Sequence, residues 1–294
     1  MYGDTLLLGF PDYQLQAKNL ARLLKVDFAE VEIHTFPDGE SKIKLPAQIP
    51  DRIIICRSLN FPNEKLLELY FICKAARQKG CEHITLIAPY LCYMRQDKAF
   101  EAGEIVSQRL TGKFISSLVD EVVTVDPHLH RISDLEEVIK TKRAITLSAA
   151  PLISNHISLQ VSDPLIVGPD EESEQWVKQI AEIHGYDYMI AEKTRHSDHD
   201  VDIVLPSSDI EHRNVVLIDD VASTGKTLMN AAQQLIENGV GNIYCAVTHA
   251  LFVENSYQEL LSMGVREVWS TDSVAHPSNC ISLTSLIAES LATT

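Results

Sequence analysis

The sequence alternates short apolar segments with amphipathic segments along its length. Strand-length runs rich in Val, Ile and Leu recur, namely TLLLGF, RIIICRS, ITLIAPY, EVVTVD, PLIVGPD, VVLIDD, IYCAVTHA and EVWSTD. Helical patterns lie between many of them, at residues 62–79, 103–118, 171–185 and 226–239. Strands this apolar are typical of parallel sheets that helices cover on both faces. The pattern therefore predicts an α/β fold of mainly parallel sheets flanked by helices.

The two halves of the chain repeat one pattern. LLLGFPDYQLQAKNLARLL resembles LIVGPDEESEQWVKQIAEI, and RIIICRSLNFPNEKLLELY resembles NVVLIDDVASTGKTLMNAA. An irregular segment also matches, FPDGESKIKLP against EKTRHSDHDVDIVLP. Generic alternation of strands and helices is the alternative, and the irregular segment argues against it. We predict two pseudo-duplicated domains in tandem, residues 1–148 and 149–294.

The charge and the cysteines limit the possible partners and location. The formal net charge is −16 at pH 7. Because Lys and Arg are not in surplus to replace phosphate counterions, binding to nucleic acid or to an anionic membrane is not expected. The six cysteines form no CxxC pair, and no signal peptide or membrane-spanning run is recognised. We therefore expect a cytoplasmic protein without a zinc ribbon.

The segment VVLIDDVASTGKTL, residues 215–228, ends in the Gly-Lys-Thr of an ATP-binding P-loop. A P-loop also needs a glycine five residues before the second glycine, and Asp220 stands there. A P-loop is therefore excluded. A phosphate site remains, because an apolar strand ends in Asp219 and Asp220 and a short loop then opens a helix with free N–H groups.

This segment predicts a cradle for a phosphorylated sugar. Carboxylates accept hydrogen bonds from vicinal sugar hydroxyls, while hydroxyl and N–H groups of the loop bind phosphate. An ordinary helix cap would explain Ser223 or Thr224 but not the Asp pair. The interpretation is a ribose 5-phosphate site, which consists of Asp219, Asp220, Ser223, Thr224, Gly225, Lys226 and Thr227.

An apolar strand followed by Asp-Asp and then Ser-Thr-Gly resembles the phosphoribosyl pyrophosphate loop of the type I phosphoribosyltransferases. Two such domains in tandem resemble, more narrowly, the ribose-phosphate pyrophosphokinase family in its short, archaeal-like form. The resemblance covers residues 5–272. It implies an enzyme that transfers pyrophosphate from Mg-ATP to the 1-hydroxyl of ribose 5-phosphate. It also implies a homodimer or a higher homo-oligomer.

Two segments of the first half are similar to the nucleotide-binding segments of this family. FPDGE, residues 36–40, matches the family's adenine-nucleotide loop, whose residues would contact ATP from a neighbouring subunit. PDG alone is only a turn signal. In APYLCYMRQDKAFEAGE, residues 88–104, an arginine would meet phosphate oxygens. The resemblance therefore assigns ATP to Phe36, Asp38, Gly39, Glu40, Arg95, Gln96 and Asp97.

Two further segments are similar to those with which the family holds magnesium. The resemblance places His128 of TVDPHLHRI at Mg-ATP, and Asp170 of VGPDEESEQWV at a second Mg²⁺ beside the ribose. Taken alone, His128 and His130 also allow a His-x-His metal centre, as in metal-dependent hydrolases. The alternative is that a histidine at the end of a strand has only a structural role. Pro127 departs from the leucine that many members have.

AEKTRHSDHDVDIVLP, residues 191–206, is similar to the flexible catalytic loop of the family. Lys193 and Arg195 would be its catalytic cations, with Arg195 also at ribose 5-phosphate. His196, His199, Asp200 and Asp202 taken alone suggest a metal cluster, but we interpret the histidines as bystanders in a polar loop.

Two other functions remain open at this point. A phosphoribosyltransferase that consumes phosphoribosyl pyrophosphate would share the loop of the second half, but not the duplication, FPDGE or the RQD segment. A non-catalytic regulatory homologue is the other possibility. Lys226 favours the regulatory alternative, because it stands where the family loop usually has a small residue.

Overall fold

A computed structural model of the chain describes residues 4–99, 101–132, 134–195, 201–204 and 210–292, with only the backbone described at 192–195 and 201–204. The chain forms two compact units. One comprises the residues up to Leu147 together with the segment from Leu283, and the other comprises Ser148–Ser282. Within the described residues, no helix has the length and apolar character needed to cross a bilayer.

The first unit contains eight strands and four α-helices in its described part. The strands are β1 (Thr5–Gly9), β2 (Asp27–Glu30), β3 (Glu32–Thr35), β4 (Ser41–Lys44), β5 (Arg52–Cys56), β6 (His83–Ile87), β7 (Glu121–Val125) and β8 (Arg143–Leu147). The helices are α1 (Gln14–Leu24), α2 (Pro62–Gln78), α3 (Ser107–Ser116) and α8 (Thr284–Ala292).

The second unit repeats this plan. Its strands are β9 (Leu165–Gly168), β10 (Tyr188–Ile190), β11 (Glu192–Arg195), β12 (Val201–Val204), β13 (Val215–Ala222), β14 (Ile243–Ala250), β15 (Val265–Thr271) and β16 (Asn279–Ile281). Its helices are α4 (Ala150–Gln160), α5 (Glu174–His184), α6 (Lys226–Glu237) and α7 (Ser256–Ser262).

Each unit is built on a six-stranded parallel sheet with a separate antiparallel hairpin. The strand orders are β2-β1-β5-β6-β7-β8 and β10-β9-β13-β14-β15-β16, so corresponding strands take corresponding places. The hairpins are β3–β4 and β11–β12. Central strands such as β5 and β14 are buried almost throughout, as expected when helices cover both faces of a parallel sheet. The predicted α/β class is confirmed.

The C-terminal helix departs from the expected division of the chain. Residues 149–294 were expected to form one domain, whereas the segment from Leu283 belongs to the first unit. Leu283, Ile287 and Leu291 are buried there, and α8 packs against α1 and β8. The helix joins the first unit because its apolar face is buried there, and the stabilising free energy increases with the apolar area removed from water.

Asp120 joins three neighbouring strands of the first unit at their amino ends. Its carboxylate accepts hydrogen bonds from the backbone N–H of Ile84 at 2.8 Å and from Arg77, and pairs with Lys142 at 3.0 Å. Burial alone would raise the pKa of Asp120, but these hydrogen bonds outweigh it and lower the pKa to about 2. A carboxylate stabilised in this way favours the folded state at neutral pH.

Replacement of Asp120 by Asn is expected to lower the free energy of unfolding by roughly 2–3 kcal/mol at pH 7. Because the folded pKa lies below the unfolded one, this stabilisation is present above pH ~4 and is lost as the pH falls toward 2. Denaturant unfolding at pH 7 and at pH 3 would measure it. Asp27→Asn, at an exposed position in β2, is the control. Equal losses in both variants would contradict the role of Asp120.

Candidate functional site

The second unit gathers carboxylates at the carboxyl edge of its sheet. β13 is buried through Ile218 and continues past Asp219 and Asp220 to Ala222, beyond the expected end at Asp220. Asp219 is half-buried and Asp220 is buried. Asp170, which follows the adjacent strand β9, is buried as well. Parallel strands end at one edge of a sheet, and this edge therefore carries three acidic side chains.

Asp220 and Asp170 perturb the ionisation of Asp219. Burial, followed by the charges of Asp220 and Asp170, raises the pKa of Asp219 well above its usual range. The backbone N–H of Asp220 donates to Asp219 Oδ1 at 2.9 Å, which favours the charged form without offsetting these effects. Buried like charges are costly unless a cation or hydrogen-bond donors compensate them. The edge is therefore suited to hydroxyl donors or to a divalent cation.

The loop between β13 and α6 is held by the segment that follows β14. The carbonyl of Ala222 accepts from the N–H of Phe252 at 2.9 Å, and that of Ser223 accepts from the N–H of Val253 at 3.0 Å. Ser256 Oγ also donates to the Ser223 carbonyl at 3.2 Å. Gly225 caps α6 with φ +67°, a conformation that favours glycine. The loop is therefore preorganised.

Groups suited to bind an anion line this loop. Ser223 and Thr227 are half-buried, whereas Thr224 and Lys226 are exposed. Lys226 is the first residue of α6, a helix that is described throughout and has no acidic residue in its first turn. The N–H groups of that turn and the positive end of the helix attract phosphate.

Asp170 has a structural role in addition to its charge. Its Oδ1 accepts from the N–H of Ser173 at 3.3 Å and so caps the short 3-10 helix Glu171–Ser173. Ser173 Oγ in turn donates to the Asp170 carbonyl at 2.6 Å. These contacts orient the Asp170 carboxyl at the edge of the sheet. The sequence-based assignment did not include this cap.

The second hairpin carries the expected catalytic cations. Lys193 pairs with Ile203, and Arg195 pairs with Val201, across antiparallel β11 and β12. His196, His199 and Asp200 lie outside the described residues.

In the first unit, the FPDGE turn is exposed at every position. The N–H of Phe36 donates to the Glu40 carbonyl at 2.8 Å, and the N–H of Gly39 donates to the Phe36 carbonyl at 2.9 Å. Gly39 has φ +91°, which a residue with a side chain rarely adopts. Asp38 Oδ1 accepts from the N–H of Glu40 at 3.2 Å. The turn therefore presents its polar groups to solvent.

The RQD segment divides into one exposed cation and two side chains that already have contacts within the unit. Arg95 is exposed. Gln96 Oε1 accepts from Ser107 Oγ at 2.5 Å, at the start of α3. Asp97 forms an ion pair with Arg131, and its Oδ2 is buried with no hydrogen-bond partner among the described residues. Arg95 is thus the residue of the three best placed to meet phosphate.

His128 lies after β7 and contacts a second histidine. His128 Nε2 is 2.6 Å from His130 Nε2, and both residues are half-buried. Asp126, which precedes them, is buried and has φ +37°, an uncommon conformation that often marks functional sites. The resemblance assigned a role to His128 alone, whereas His130 and Asp126 belong to the same strand end. His128 and Asp170 belong to different units.

Comparison with known proteins identifies the family. A model of the N-terminal domain of ribose phosphate pyrophosphokinase matches residues 6–118, and a phosphoribosyl transferase domain model matches residues 136–280. The ribose-phosphate pyrophosphokinase of Methanopyrus kandleri is 34% identical and aligns over 93% of this chain and 94% of its own. The chain belongs to the ribose-phosphate pyrophosphokinase family.

A second curated relative agrees with this family, and a solved structure shows the same fold. The ribose-phosphate pyrophosphokinase of Methanothermobacter thermautotrophicus is 32% identical over 97% of this chain and 99% of its own. Phosphoribosylpyrophosphate synthetase from Mycobacterium smegmatis has the same fold, with a TM-score of 0.86, 22% identity and coverage of 99% and 98% of the two chains. The short, archaeal-like resemblance and the fold that it implied are confirmed.

The matched regions of the ribose-phosphate pyrophosphokinase family include most of the predicted site. FPDGE and the RQD segment fall within the N-terminal match, and Asp170, Lys193 and the loop at 223–227 fall within the second match. His128 lies between the two matched regions. The structure gathers Asp170, Asp219 and Asp220 in one unit. The roles of all these residues remain predictions.

Proposed function

We propose that this protein transfers pyrophosphate from Mg-ATP to the 1-hydroxyl of ribose 5-phosphate, producing phosphoribosyl pyrophosphate and AMP. The observation that carries the proposal is the carboxylate pair of half-buried Asp219 and buried Asp220, followed by a preorganised anion loop in the second unit. The first unit has the same sheet order without this loop, and it carries FPDGE and Arg95 for the nucleotide. The names of the relatives support the same reaction.

Ribose 5-phosphate would bind at the edge of the second sheet. Asp219 and Asp220 accept hydrogen bonds from the sugar hydroxyls, which compensates the unfavourable charge of Asp219 beside Asp220 and Asp170. The loop at 223–227 binds the 5-phosphate through N–H and hydroxyl groups at the start of α6. This arrangement would hold the 1-hydroxyl for in-line attack on the β-phosphorus of ATP, with AMP as the leaving group.

Magnesium fits Asp170, because Mg²⁺ prefers oxygen ligands and this carboxylate lies within a cluster of excess negative charge. His128 offers a half-buried imidazole, and its place at the magnesium of Mg-ATP is what the family resemblance implies. An ion at either residue would neutralise phosphate charge and orient the polyphosphate. Lys193 and Arg195 would stabilise the charge that develops on the transferred group.

The proposal extends to assembly and location. FPDGE would contact ATP bound to a neighbouring copy of the chain, so the active form would be a homodimer or a higher homo-oligomer. Its substrates, ATP and ribose 5-phosphate, are small anions of the cytoplasm. A cytoplasmic enzyme of nucleotide biosynthesis is the role that accords with these assignments.

A direct assay tests the reaction. The protein is incubated with ATP, Mg²⁺ and ribose 5-phosphate, and AMP and phosphoribosyl pyrophosphate are quantified. Equal amounts of the two products are expected. A parallel reaction contains phosphoribosyl pyrophosphate and purine or pyrimidine bases. Release of pyrophosphate there, without AMP formation in the first assay, would identify a phosphoribosyltransferase instead. Inactivity in both assays would favour a regulatory homologue.

Lys226 is expected to add an electrostatic contact to the 5-phosphate. Replacement of Lys226 by Met should raise the KM for ribose 5-phosphate about tenfold and leave the KM for ATP unchanged, because a charge-assisted hydrogen bond is lost. Lys178→Met, in α5, removes a half-buried lysine of the same unit, paired with Glu174, as a control. An unchanged or lower KM for ribose 5-phosphate in Lys226→Met would show that the amine crowds the loop.

A further inference from the structure

The loop after β5 has no part in the proposed reaction, although it occupies the place of the sugar-phosphate loop. β5 and β13 are each third in their sheets, next to β1 and β9. Ile55 pairs with a residue of β1, and Leu217 pairs with a residue of β9. In each case the partner directly precedes a glycine, so Ile55 and Leu217 occupy corresponding positions. Two residues further on, the first unit has Arg57 where the second has Asp219. A cation thus replaces the sugar-binding carboxylate.

Arg57 belongs to a largely buried network of charged side chains. Its Nε donates to Asp12 Oδ1 at 3.1 Å, and its Nη1 donates to Glu68 Oε2 at 2.5 Å. Lys65 Nζ lies 2.6 Å from Asp12 Oδ2 and donates to the Ser58 carbonyl at 2.9 Å. The two cations and two anions compensate one another. The charged groups beside this loop are therefore paired within the unit.

This network reaches the hairpin of the first unit. Ser41 Oγ donates to Glu68 Oε1 at 3.1 Å, while Arg57 holds the other oxygen of the same carboxylate. Ser41 begins β4, directly after Glu40 of the FPDGE turn. Buried ion pairs contribute little net stability, but a partner that loses its pair is costly, so such networks keep a defined geometry. Glu68 is thus a fixed acceptor for the base of an exposed turn.

We infer that Ser41, Glu68 and Arg57 are positioning residues that hold the FPDGE turn in the conformation that binds the nucleotide. The inference rests on the proposed function, in which this turn contacts ATP. An exposed turn at the end of a two-stranded hairpin opens readily unless its ends are tied down. Ile33 and Ile43 pack the strands of the hairpin against the core, and the Ser41–Glu68 hydrogen bond supplies an attachment directly beside the turn.

Replacement of Ser41 by Ala removes the attachment and leaves the ion network intact. Amide hydrogen exchange at residues 36–44 is expected to become roughly fivefold faster, in line with the loss of one hydrogen bond. The Kd of a non-hydrolysable ATP analogue, measured by calorimetry, should rise by a similar factor, and the Kd of ribose 5-phosphate should not change. Ser41→Thr, which keeps the hydroxyl, should restore both values.

The control is Ser117→Ala, which removes an exposed hydroxyl that donates to the Phe114 carbonyl in the same unit. It should change neither exchange at 36–44 nor nucleotide affinity. Unchanged exchange in Ser41→Ala, or equal weakening of both ligands, would overturn the inference. Neither measurement requires turnover. Absence of AMP formation would therefore refute the proposed reaction, while hydrogen exchange and nucleotide affinity would still test the role of Ser41. Arg57→Gln, if folded, should accelerate the same amides; unchanged exchange there would remove Arg57 from the set.

Discussion

Replacement of Lys193 by alanine is expected to lower kcat by about two orders of magnitude or more, with ribose 5-phosphate bound almost normally. A preorganised cation directed at the charge developing on the transferred group acts mainly in the transition state. Its removal therefore changes turnover rather than ground-state binding. AMP release under saturating substrates measures kcat, and calorimetry with ribose 5-phosphate alone measures affinity.

The position of Lys193 in the hairpin sets the controls for this experiment. Lys193 lies in β11, directly opposite Ile203 of β12. Lys178→Ala removes a half-buried lysine from α5 of the same unit and should leave kcat unchanged. Lys193→Arg keeps the charge, and partial activity there would separate loss of charge from a disturbed hairpin. Near-normal turnover of Lys193→Ala would remove this residue from the mechanism.

Replacement of Asp219 by Asn is expected to weaken ribose 5-phosphate at least about tenfold while the protein becomes more stable by roughly 0.5–2 kcal/mol. In the proposed site the carboxylate would accept hydrogen bonds from sugar hydroxyls, whereas without a ligand its charge is disfavoured by burial and by Asp220 and Asp170. Its folded pKa lies above the unfolded one, so ionisation destabilises the protein as the pH rises above ~4. The stability gain of Asp219→Asn should therefore be present at pH 7 and absent below pH ~4.

Calorimetric titration with ribose 5-phosphate and with the ATP analogue, together with denaturant unfolding at pH 7 and pH 3.5, tests both parts. Asp163→Asn provides a control in the same unit, because its side chain is 94% exposed and its φ of +49° is one that asparagine tolerates. It should change neither affinity nor stability. Equal weakening of the two ligands by Asp219→Asn would contradict a sugar cradle. A loss of stability would contradict the electrostatic account of the carboxylate cluster.

The sequence predicted elements well where local periodicity is strong. The helix expected at 226–239 runs over Lys226–Glu237, and the helix expected at 62–79 runs over Pro62–Gln78. Ends were less predictable: the segment expected to be helical at 103–118 is helical over Ser107–Ser116. Helix termini depend on caps and tertiary contacts, such as the hydrogen bond from Ser107 to Gln96, that apolar spacing does not record.

The candidate site was predictable in chemistry but not in its supports. Asp219, Asp220 and the loop at 223–227 follow from residue types in a short segment. The attachment of that loop by Val253 and Ser256 does not, since these residues lie after the next strand. The sequence signal for this segment is the apolar run IYCAVTHA, which predicts the strand that directly precedes it.

Local order and composition determined the fold class, the duplication and the phosphate character of the loop, because each depends on neighbours in the chain. The tertiary structure decided which distant residues meet. It brought Asp170 to Asp219, placed α8 in the first unit, and joined Arg57 to Glu68 and Ser41. These contacts depend on strand order and register across the sheets, and the spacing of apolar residues within one element carries no information about either.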